Sequence, residues 1–437
     1  VLLLAIPMML EMMMESVFAL VDLYFVGHLE NSSAAVQTVG LTESILSIIY
    51  SIAMGLGMGA TAVVARRIGE KDPVAGAKAG MQAVVIALSI NVVIAVLGFI
   101  FATDILMLMG SSPESAEFGT PFMRVMMCSS FVIMLLFILN GIFRGAGNAA
   151  IAMKSLWIAN AFNIALCPIF INGLGPIPAF GLTGAAIATT IGRSMGVLYQ
   201  LYNLFNGKGI LKVALSYFIP DRKLIGSLIG IAAPGMLQFV IASCSWIFLA
   251  ELVATTGGDV GSAGYQSDIR IMMFFMLPAW GLSGAAATLV GQNLGAKDVG
   301  RAERSVFVTA KFSVGYMTLI MVICLLAANT MMGFFTNDER VHEVAVKAIR
   351  ILSTGYIFYG IGMVLLNAFN GSGDTKTPTW VNFFGFWLLQ IPIAYLLAKV
   401  VELGPQGVFW AIPIAETAMT IASIFLFKKG RWKRVEV

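Results

Sequence analysis

Long apolar stretches recur along the whole chain and are separated by short polar breaks. Cutting the sequence at charged or Gly-, Pro- and Asn-rich breaks gives about twelve stretches of about 20 residues or more, the length that an α-helix needs to cross a bilayer. Because they recur along the whole length, a single signal peptide does not explain them. We predict membrane spans at residues 1–27, 38–65, 78–102, 118–142, 154–172, 182–205, 224–254, 263–290, 305–328, 343–368, 379–400 and 406–427.

The first of these spans carries three carboxylates, Glu11, Glu15 and Asp22, in an otherwise apolar helix. At about 100° per residue they fall within about 40° of one another, and we call them the carboxylate stripe. An ionisable group that faces lipid costs at least about 2.5 kcal/mol, so the stripe is expected to face the protein interior or a water-filled cavity. Burial and mutual repulsion disfavour three adjacent charges, which favours binding of protons or cations.

Short loop motifs occur twice in the chain, which indicates an internal repeat. With six helices in each half, both halves enter the membrane from the same side, and such parallel repeats place a substrate site between the lobes. We predict an N-terminal lobe at 1–207, a cytoplasmic linker at 208–223 and a C-terminal lobe with a basic cytoplasmic tail at 224–437. The matching segments are Ala65–Asp72 with Gly291–Asp298 and Phe143–Asn148 with Phe369–Asp374 at an offset of 226, Gly181–Gly184 with Gly404–Gly407 at 223, and Pro7 with Pro234 at 227.

The composition fits a membrane protein and no soluble class. Of the 437 residues, 59% are hydrophobic and 11% are charged, too few polar side chains to cover a soluble globule. The predicted fold is an all-α polytopic membrane protein of about twelve transmembrane helices in two pseudo-symmetric six-helix lobes. Basic residues follow the even-numbered spans, so both termini are expected in the cytoplasm. The net charge of +4 reflects this asymmetry and does not indicate nucleic-acid binding.

Enzymatic and metal-binding motifs are weak. Cys128, Cys167, Cys244 and Cys324 lie inside predicted spans without CxxC spacing, which supports neither a disulfide framework nor a zinc site. The segment Gly371–Asp374 fits the Gly-x-Gly-Asp pattern of intramembrane aspartyl proteases, but it lies in a basic loop with no second embedded Asp. We therefore expect no enzyme activity, no cofactor and no metal site.

Five motifs in order resemble those of the MATE (multidrug and toxic compound extrusion) transporters, and the resemblance covers essentially the whole chain. The resemblance implies an antiporter that exchanges inward-moving H⁺ or Na⁺ for outward-moving organic cations. The motifs are Val21–Gly27 at the end of helix 1, Ala65–Gly69 after helix 2, Phe143–Asn148 after helix 4, Asn163–Pro168 in helix 5 and Val290–Asp298 after helix 8.

The likeness is closest to the prokaryotic DinF-like branch, whose coupling site is built around an Asp late in helix 1 and an Asn and an Asp in helix 5. By this resemblance Asp22 and Asn163 are ion-coupling residues, with Asn140 as a polar partner in helix 4. The helix 5 Asp is absent, because Cys167 stands where that branch has it. Glu11 and Glu15 are the expected substitutes, unless coupling rests on Asp22 and the two amides alone.

A second set of polar side chains is expected to line the substrate cavity: Cys167, Glu43, Arg193, Arg270 and Tyr359. Arg193 and Arg270 are expected to pair with acids or carbonyls inside the bundle, although two buried Arg also suit an anionic head group. Asp268 has Arg270 two residues away as an apparent partner.

These features favour a secondary antiporter that exports amphipathic, cationic compounds as its lobes rock around a central cavity. Two alternatives stay open: a flippase for a lipid-linked precursor on the related fold, and a non-transporting membrane sensor or scaffold. The flippase should have a cavity of net positive charge and the exporter one of net negative charge. We expect a monomer in a prokaryotic plasma membrane, with small organic cations and membrane lipids as its partners.

Overall fold

The computed structural model describes residues 1–27, 32–334, 336 and 338–436, and leaves the side chains of residues 19–27, 32–34 and 36 undescribed. Its elements are helical. They are α1 (Leu2–Gly27), α2 (Ser32–Gly69), α3 (Pro73–Leu108), α4 (Pro113–Cys128), α5 (Ser130–Gly145), α6 (Ala149–Asn172), α7 (Leu182–Phe205), α8 (Arg222–Gly295), α9 (Val299–Gly333), α10 (Glu339–Ser353), α11 (Tyr356–Ser372), α12 (Lys376–Asn382), α13 (Ile391–Tyr395) and α14 (Pro405–Lys429).

Shorter helical pieces complete the secondary structure. A π-helical segment at Phe383–Gln390 joins α12 to α13, and a second at Leu396–Val400 extends α13. Single 3₁₀ turns lie at Leu215–Phe218 and Arg431–Arg434. Among the described residues, the one β-type pairing is an isolated bridge between Leu174 and Ile177.

The helices match the predicted spans. Within the part of the chain that the structure describes, eight helices are long and apolar enough to cross a membrane, or nine if the bent pair α10–α11 counts as one span. Helix α8 has 74 residues, a length of about 110 Å against an apolar bilayer core of about 30 Å. Gly258 breaks its helical path at φ 59° and ψ −156°, so α8 supplies the two spans predicted at 224–254 and 263–290.

Two predicted spans are interrupted. The span at 118–142 is divided at Ser129 into α4 and α5. The span at 343–368 bends by 53° between α10 and α11. The interruptions lie at short uncharged stretches, Ser-Ser at 129–130 and Ser-Thr-Gly at 353–355, so cutting the chain at charged or Gly-, Pro- and Asn-rich breaks did not reveal them.

The internal repeat is visible in the backbone of the matching loops. Lys71 and Lys297 both adopt positive φ, at 62° and 60°. The residues that follow, Asp72 and Asp298, cap the next helix by accepting a hydrogen bond from the backbone N–H three residues on. Since few non-glycine residues adopt positive φ, the shared conformation supports the repeat independently of the sequence match.

Glycines allow helices to approach closely at equivalent places in both halves. A Cβ on Gly145 would lie 2.8 Å from the carbonyl oxygen of Thr61, and one on Gly371 would meet the backbone of Ala287, the repeat equivalent of Thr61. A Cβ on Gly141 would lie 2.5 Å from the oxygen of Gly57. The Gly-rich segment around Gly57 is therefore a helix-packing surface, in which small residues let two backbones meet.

The chain divides into two compact units. The N-unit is Leu10–Met236, and the C-unit is Val1–Met9 together with Leu237–Val437. In the N-unit, hydrogen bonds and an ion pair connect the segment after α7 to α3. Gln82 donates to the carbonyls of Tyr217 and Ile219 at 2.6 and 2.8 Å, and Lys78 forms an ion pair of 2.8 Å with Asp221. The finer lobe and linker boundaries, 1–207, 208–223 and 224–437, stay a prediction.

Candidate functional site

Helix α1 is held against α6 in the N-unit by side chains that bind its backbone. The indole of Trp157 donates to the carbonyl of Leu10 at 3.3 Å, and the amide of Asn160 donates to the carbonyl of Met14 at 3.0 Å. The two carbonyls flank Glu11 along α1. The stripe residues Glu11 and Glu15 therefore have a fixed height relative to α6.

Small residues at every fourth position of α7 bring it close to α6. A Cβ on Gly192 would lie 2.6 Å from the oxygen of Ala159, and one on Gly196 would lie 2.7 Å from the oxygen of Ser155. Such small-residue spacing allows close packing of membrane helices. The packing places the polar residues of α7, Arg193 and Gln200 among them, beside the polar residues of α5, α6 and α1.

Glu11 lies at the centre of a buried hydrogen-bond network. Its side chain is 1% exposed, and its Oε1 accepts a hydrogen bond of 2.9 Å from Nδ2 of Asn140. The Oδ1 of Asn140 accepts a short hydrogen bond from Gln200 and one of 3.4 Å from Ser155. The second carboxyl oxygen of Glu11, Oε2, is buried and has no hydrogen-bond partner among the described residues. The network thus leaves one carboxyl oxygen available to a ligand.

Glu15, one turn later, is in a different environment. Its Oε1 accepts a hydrogen bond of 3.1 Å from Nη2 of Arg193, which also donates to the hydroxyl of Tyr50 at 3.2 Å. The guanidinium lies 4.8 Å from the ring centre of Phe18. Arg193 is buried and Glu15 is partly exposed, so the pair is screened from solvent mainly on the arginine side. As expected, Arg193 pairs with an acid inside the bundle.

Asn163 and Cys167 lie farther along α6. The Nδ2 of Asn163 donates to Thr189 on α7 at 3.1 Å, and its Oδ1 is buried without a hydrogen-bond partner in the described structure. Cys167 is fully buried. Asp22 belongs to α1, but its side chain lies outside the described residues.

The other residues predicted to line the cavity have varied surroundings. Glu43, on α2, is exposed. Arg270, on α8, is also exposed, so the expectation that it pairs inside the bundle is wrong. Tyr359 is half-buried in the C-unit and lines a small cavity there. The apparent pairing of Asp268 with Arg270 is wrong too, because both oxygens of Asp268 are buried and have no hydrogen-bond partner among the described residues.

A family profile described as MatE matches the chain at residues 7–169 and again at 234–396. The chain belongs to the MatE family. The two matches are offset by 227 residues, which agrees with the internal repeat. The protein is therefore a multi-pass membrane transporter and not an enzyme.

Curated relatives of this MatE protein match it over nearly its whole length. The probable multidrug resistance protein YoeA of Bacillus subtilis is 23% identical over 99% of this chain and 93% of its own. The probable multidrug resistance protein NorM of Thermotoga maritima is 24% identical over 99% of this chain and 92% of its own. The multidrug export protein MepA of Staphylococcus aureus is 23% identical over 97% of this chain and 91% of its own.

Solved MATE structures have the same fold. A crystal structure of MATE in complex with MaL6 has a TM-score of 0.91 at 28% identity, covering 99% of this chain and 95% of that one. A multidrug resistance MATE family transporter in an outward-facing conformation has the same TM-score, identity and coverages. A third structure is a MOP superfamily transporter from Pyrococcus furiosus Vc1, described as having a binding pocket of reverse polarity that suggests a different function. It has a TM-score of 0.91 at 27% identity, covering 99% of this chain and 95% of that one.

Three partners in the N-unit site of this MatE protein were missed by sequence reasoning. Gln200 and Ser155 bind Asn140, and Tyr50 binds Arg193. A signal was present for two of them. Gln200 follows Arg193 by seven residues and Ser155 precedes Asn163 by eight, and both spacings place residues on one helix face. Neither spacing indicates which helix that face meets.

Proposed function

We propose that this MatE protein is a secondary antiporter that exports amphipathic, cationic organic compounds by alternating access, in exchange for an inward-moving ion bound at Glu11. The names of its relatives, multidrug resistance and multidrug export proteins, support small organic compounds as cargo. The observation that carries the ion assignment is a fully buried carboxylate in a membrane helix, one of whose oxygens has no hydrogen-bond partner among the described residues. Intramembrane carboxylates commonly mark ion pathways.

The internal repeat supports a functional reason for the charge of Glu11. At the repeat offset of 227 its equivalent is Gln238. Gln238 and Asn370 exchange two hydrogen bonds, of 3.0 and 3.2 Å, and Gln238 also donates to the carbonyl of Thr375 at 3.1 Å. The fold thus accommodates a neutral amide at this helix position. Glu11 has a charge that the packing of the repeat does not require.

The groups around Glu11 favour H⁺ over Na⁺ as the coupling ion. Asn140 points its amide N–H towards the carboxylate and its oxygen towards Gln200 and Ser155. A hard cation such as Na⁺ prefers several oxygen ligands, whereas a proton needs one carboxyl oxygen. Within the described part of the chain, no group of three His, Cys, Asp or Glu side chains is arranged to hold a metal ion.

Electrostatics supplies the link between ion and cargo. Arg144 and Glu15 lie within electrostatic range of Glu11, so the charge on Glu11 responds to its neighbours. A cationic compound bound nearby would favour the charged carboxylate and expel the proton, and a proton would weaken binding of the compound. By linkage the two effects are equal in free energy. Asp22 and Asn163, assigned by resemblance, extend this proposed pathway along α1 and α6.

The ion pair of Glu15 with Arg193 argues against a flippase for a lipid-linked precursor. An anionic head group needs cationic side chains, and the Arg193 guanidinium is already bound to a carboxylate at 3.1 Å. The Pyrococcus furiosus relative, whose description links pocket polarity to function, makes this charge balance the discriminating property. Cytoplasmic termini belong to the same proposal, supported by the distribution of Lys and Arg in the loops. A monomeric state is part of the proposal as well.

The test is efflux of a fluorescent organic cation from vesicles that contain the purified protein, under a separately imposed H⁺ or Na⁺ gradient. We expect efflux driven by the H⁺ gradient and unaffected by the Na⁺ gradient. Efflux driven by the Na⁺ gradient and not by the H⁺ gradient would show that the coupling ion is Na⁺ instead of H⁺. Absence of efflux under both gradients, with uptake of an anionic lipid-linked compound instead, would contradict the exporter assignment.

A further inference from the structure

Asp268 is the most isolated ionisable group in the described structure of the C-unit. It lies on α8 and is 0% exposed, and neither carboxyl oxygen has a hydrogen-bond partner among the described residues. An ionised carboxylate buried without a partner is strongly unfavourable, so such a group either binds a cation or is neutral. Structural ion pairing, the ordinary alternative, does not apply to Asp268.

The groups that face Asp268 are weakly acidic and uncharged at neutral pH. Tyr265 on α8, Cys324 on α9 and Tyr356 on α11 lie within its electrostatic range. The hydroxyls of Tyr265 and Tyr356 are also buried without hydrogen-bond partners among the described residues. Helix α10 adds apolar side chains and the buried, uncharged Ser353, and neighbouring α14 adds Glu416.

A cavity of about 20 Å³ lies beside this cluster, lined by Tyr356, Tyr359 and Glu416 among others. That volume holds about one water molecule. The Oε1 of Glu416 is buried and has no hydrogen-bond partner in the described structure. The cavity adjoins the 53° bend between α10 and α11, where a Cβ on Gly355 would lie 2.7 Å from Cβ of Pro413. Irregular backbone at membrane depth is tolerated where it lines a cavity.

The internal repeat shows how the two halves differ at this place. At the offset of 223, Glu416 is the equivalent of Arg193 in the N-unit. At the offset of 227, the equivalent of Glu15, the partner of Arg193, is Ala242. The second half therefore has a carboxylate where the first half has an ion-paired guanidinium. The paired side chain has become alanine.

We propose that Asp268 and Glu416, together with Tyr356, form a second proton-binding site in the C-unit, separate from the Glu11 site. Each carboxylate takes one proton from hydronium on one of its two oxygens, so that one O–H bond breaks in hydronium as one forms on the carboxyl group. Release returns the proton to water. A proton fits better than a metal ion, because the cavity has room for about one water and the carboxylates are too few to replace a hydration shell. The role of this site in export rests on the proposed function, but proton binding does not.

The test measures the protonated carboxyl directly, by infrared difference spectroscopy of the purified full-length protein between alkaline and acidic pH. We expect acidification to produce protonated-carboxyl C=O bands, of which Asp268→Asn and Glu416→Gln each remove one component. Glu251→Gln is the matched control, because Glu251 is an exposed carboxylate of α8 that lies before the break at Gly258, whereas Asp268 lies after it. Glu251→Gln should leave the Asp268 and Glu416 components unchanged. Glu11→Gln should also leave them unchanged, although it removes a component of its own.

Two outcomes would overturn the second site. One is a spectrum of the folded double variant Asp268→Asn/Glu416→Gln identical to that of the wild type. The other is loss of the bands when Na⁺ is added at constant pH, since Na⁺ would then be the ligand. If the wild type shows these bands but no H⁺-driven efflux, the exporter proposal fails while the proton site stands. If efflux is intact but the bands are absent, the second site fails alone.

Discussion

Glu15 and Arg193 form an ion pair of 3.1 Å that joins α1 to α7. The pair neutralises one member of the carboxylate stripe, so the stripe is not a ladder of equivalent carboxylates. Glu11, one turn earlier, keeps a carboxyl oxygen without a hydrogen-bond partner among the described residues. The two glutamates therefore have different proposed roles: Glu15 holds helices together, and Glu11 binds the ion.

Removal of either member of the Glu15–Arg193 pair should destabilise the protein. The cost should fall between the ~1 kcal/mol of an exposed pair and the ~3–5 kcal/mol of a buried one, because Arg193 is buried and Glu15 is partly exposed. Thermal unfolding in detergent of Glu15→Gln, Arg193→Gln and the double variant measures it. We expect the double variant to be more stable than the sum of the single effects implies; strict additivity would mean that the pair contributes nothing.

The hydrogen bond from Gln200 should hold Asn140 in the orientation that binds Glu11. In Gln200→Leu, the Oδ1 of buried Asn140 keeps only the 3.4 Å contact with Ser155. We expect a loss of about 1–3 kcal/mol in stability together with slower efflux. Ser155→Ala is the control, since Ser155 already donates to the carbonyl of Ala152 at 2.7 Å. Equal effects of the two changes would show that the orientation of Asn140 is irrelevant.

The close contact of α2 with α5 should not tolerate a larger side chain. A Cβ on Gly141 of α5 would lie 2.5 Å from the backbone oxygen of Gly57 on α2. A Cβ on Gly40, elsewhere on α2, would meet nothing within 4 Å. Gly141→Ala should therefore cost about 1–3 kcal/mol through backbone displacement. Gly40→Ala should be neutral or slightly stabilising, because alanine favours helix. Unfolding midpoints compare the two, and an equal shift would contradict the packing assignment.

The contact of Lys78 with Asp221 predicts a pH-dependent stability contribution. The hydrogen bond from Lys78, aided by the backbone N–H of Leu224, lowers the pKa of Asp221 below its ordinary value. A lowered folded-state pKa gives a contribution that is complete above the unfolded value of about 3.9 and lost as the pH falls through the folded value. The stability difference between wild type and Lys78→Met should shrink below about pH 4. A difference that grows on acidification would contradict it.

The spans could be predicted because a bilayer requires long apolar helices, and the composition between breaks reveals them. The repeat could also be predicted, since the matching loops of the two halves share both amino-acid sequence and backbone conformation. The bend between α10 and α11 could not be predicted, because it depends on the packing of Gly355 against Pro413, which is distant in sequence. The division at Ser129 is marked only by two adjacent serines, Ser129 and Ser130, without charge, Gly, Pro or Asn.

The site was only partly predictable for a physical reason. The sequence identified Glu11, Glu15 and Arg193 as ionisable groups in membrane helices. The pairing of Glu15 with Arg193 joins residues 178 positions apart, so no local pattern reports it. The supposed pairing of Asp268 with Arg270 failed because residues two apart on a helix point in different directions. Only the packing of helices decides which ionisable groups meet.

The most direct test of the central claim, that Glu11 binds the coupling ion, is the H⁺-driven efflux of Glu11→Gln in vesicles. The neutral amide at the equivalent Gln238 indicates that the fold accepts this change, so the unfolding midpoint should stay within about 0.5 kcal/mol of wild type in free energy, as for an ordinary neutral substitution. Export driven by the H⁺ gradient should be abolished. A folded Glu11→Gln variant that still couples efflux to the H⁺ gradient as the wild type does would contradict the account.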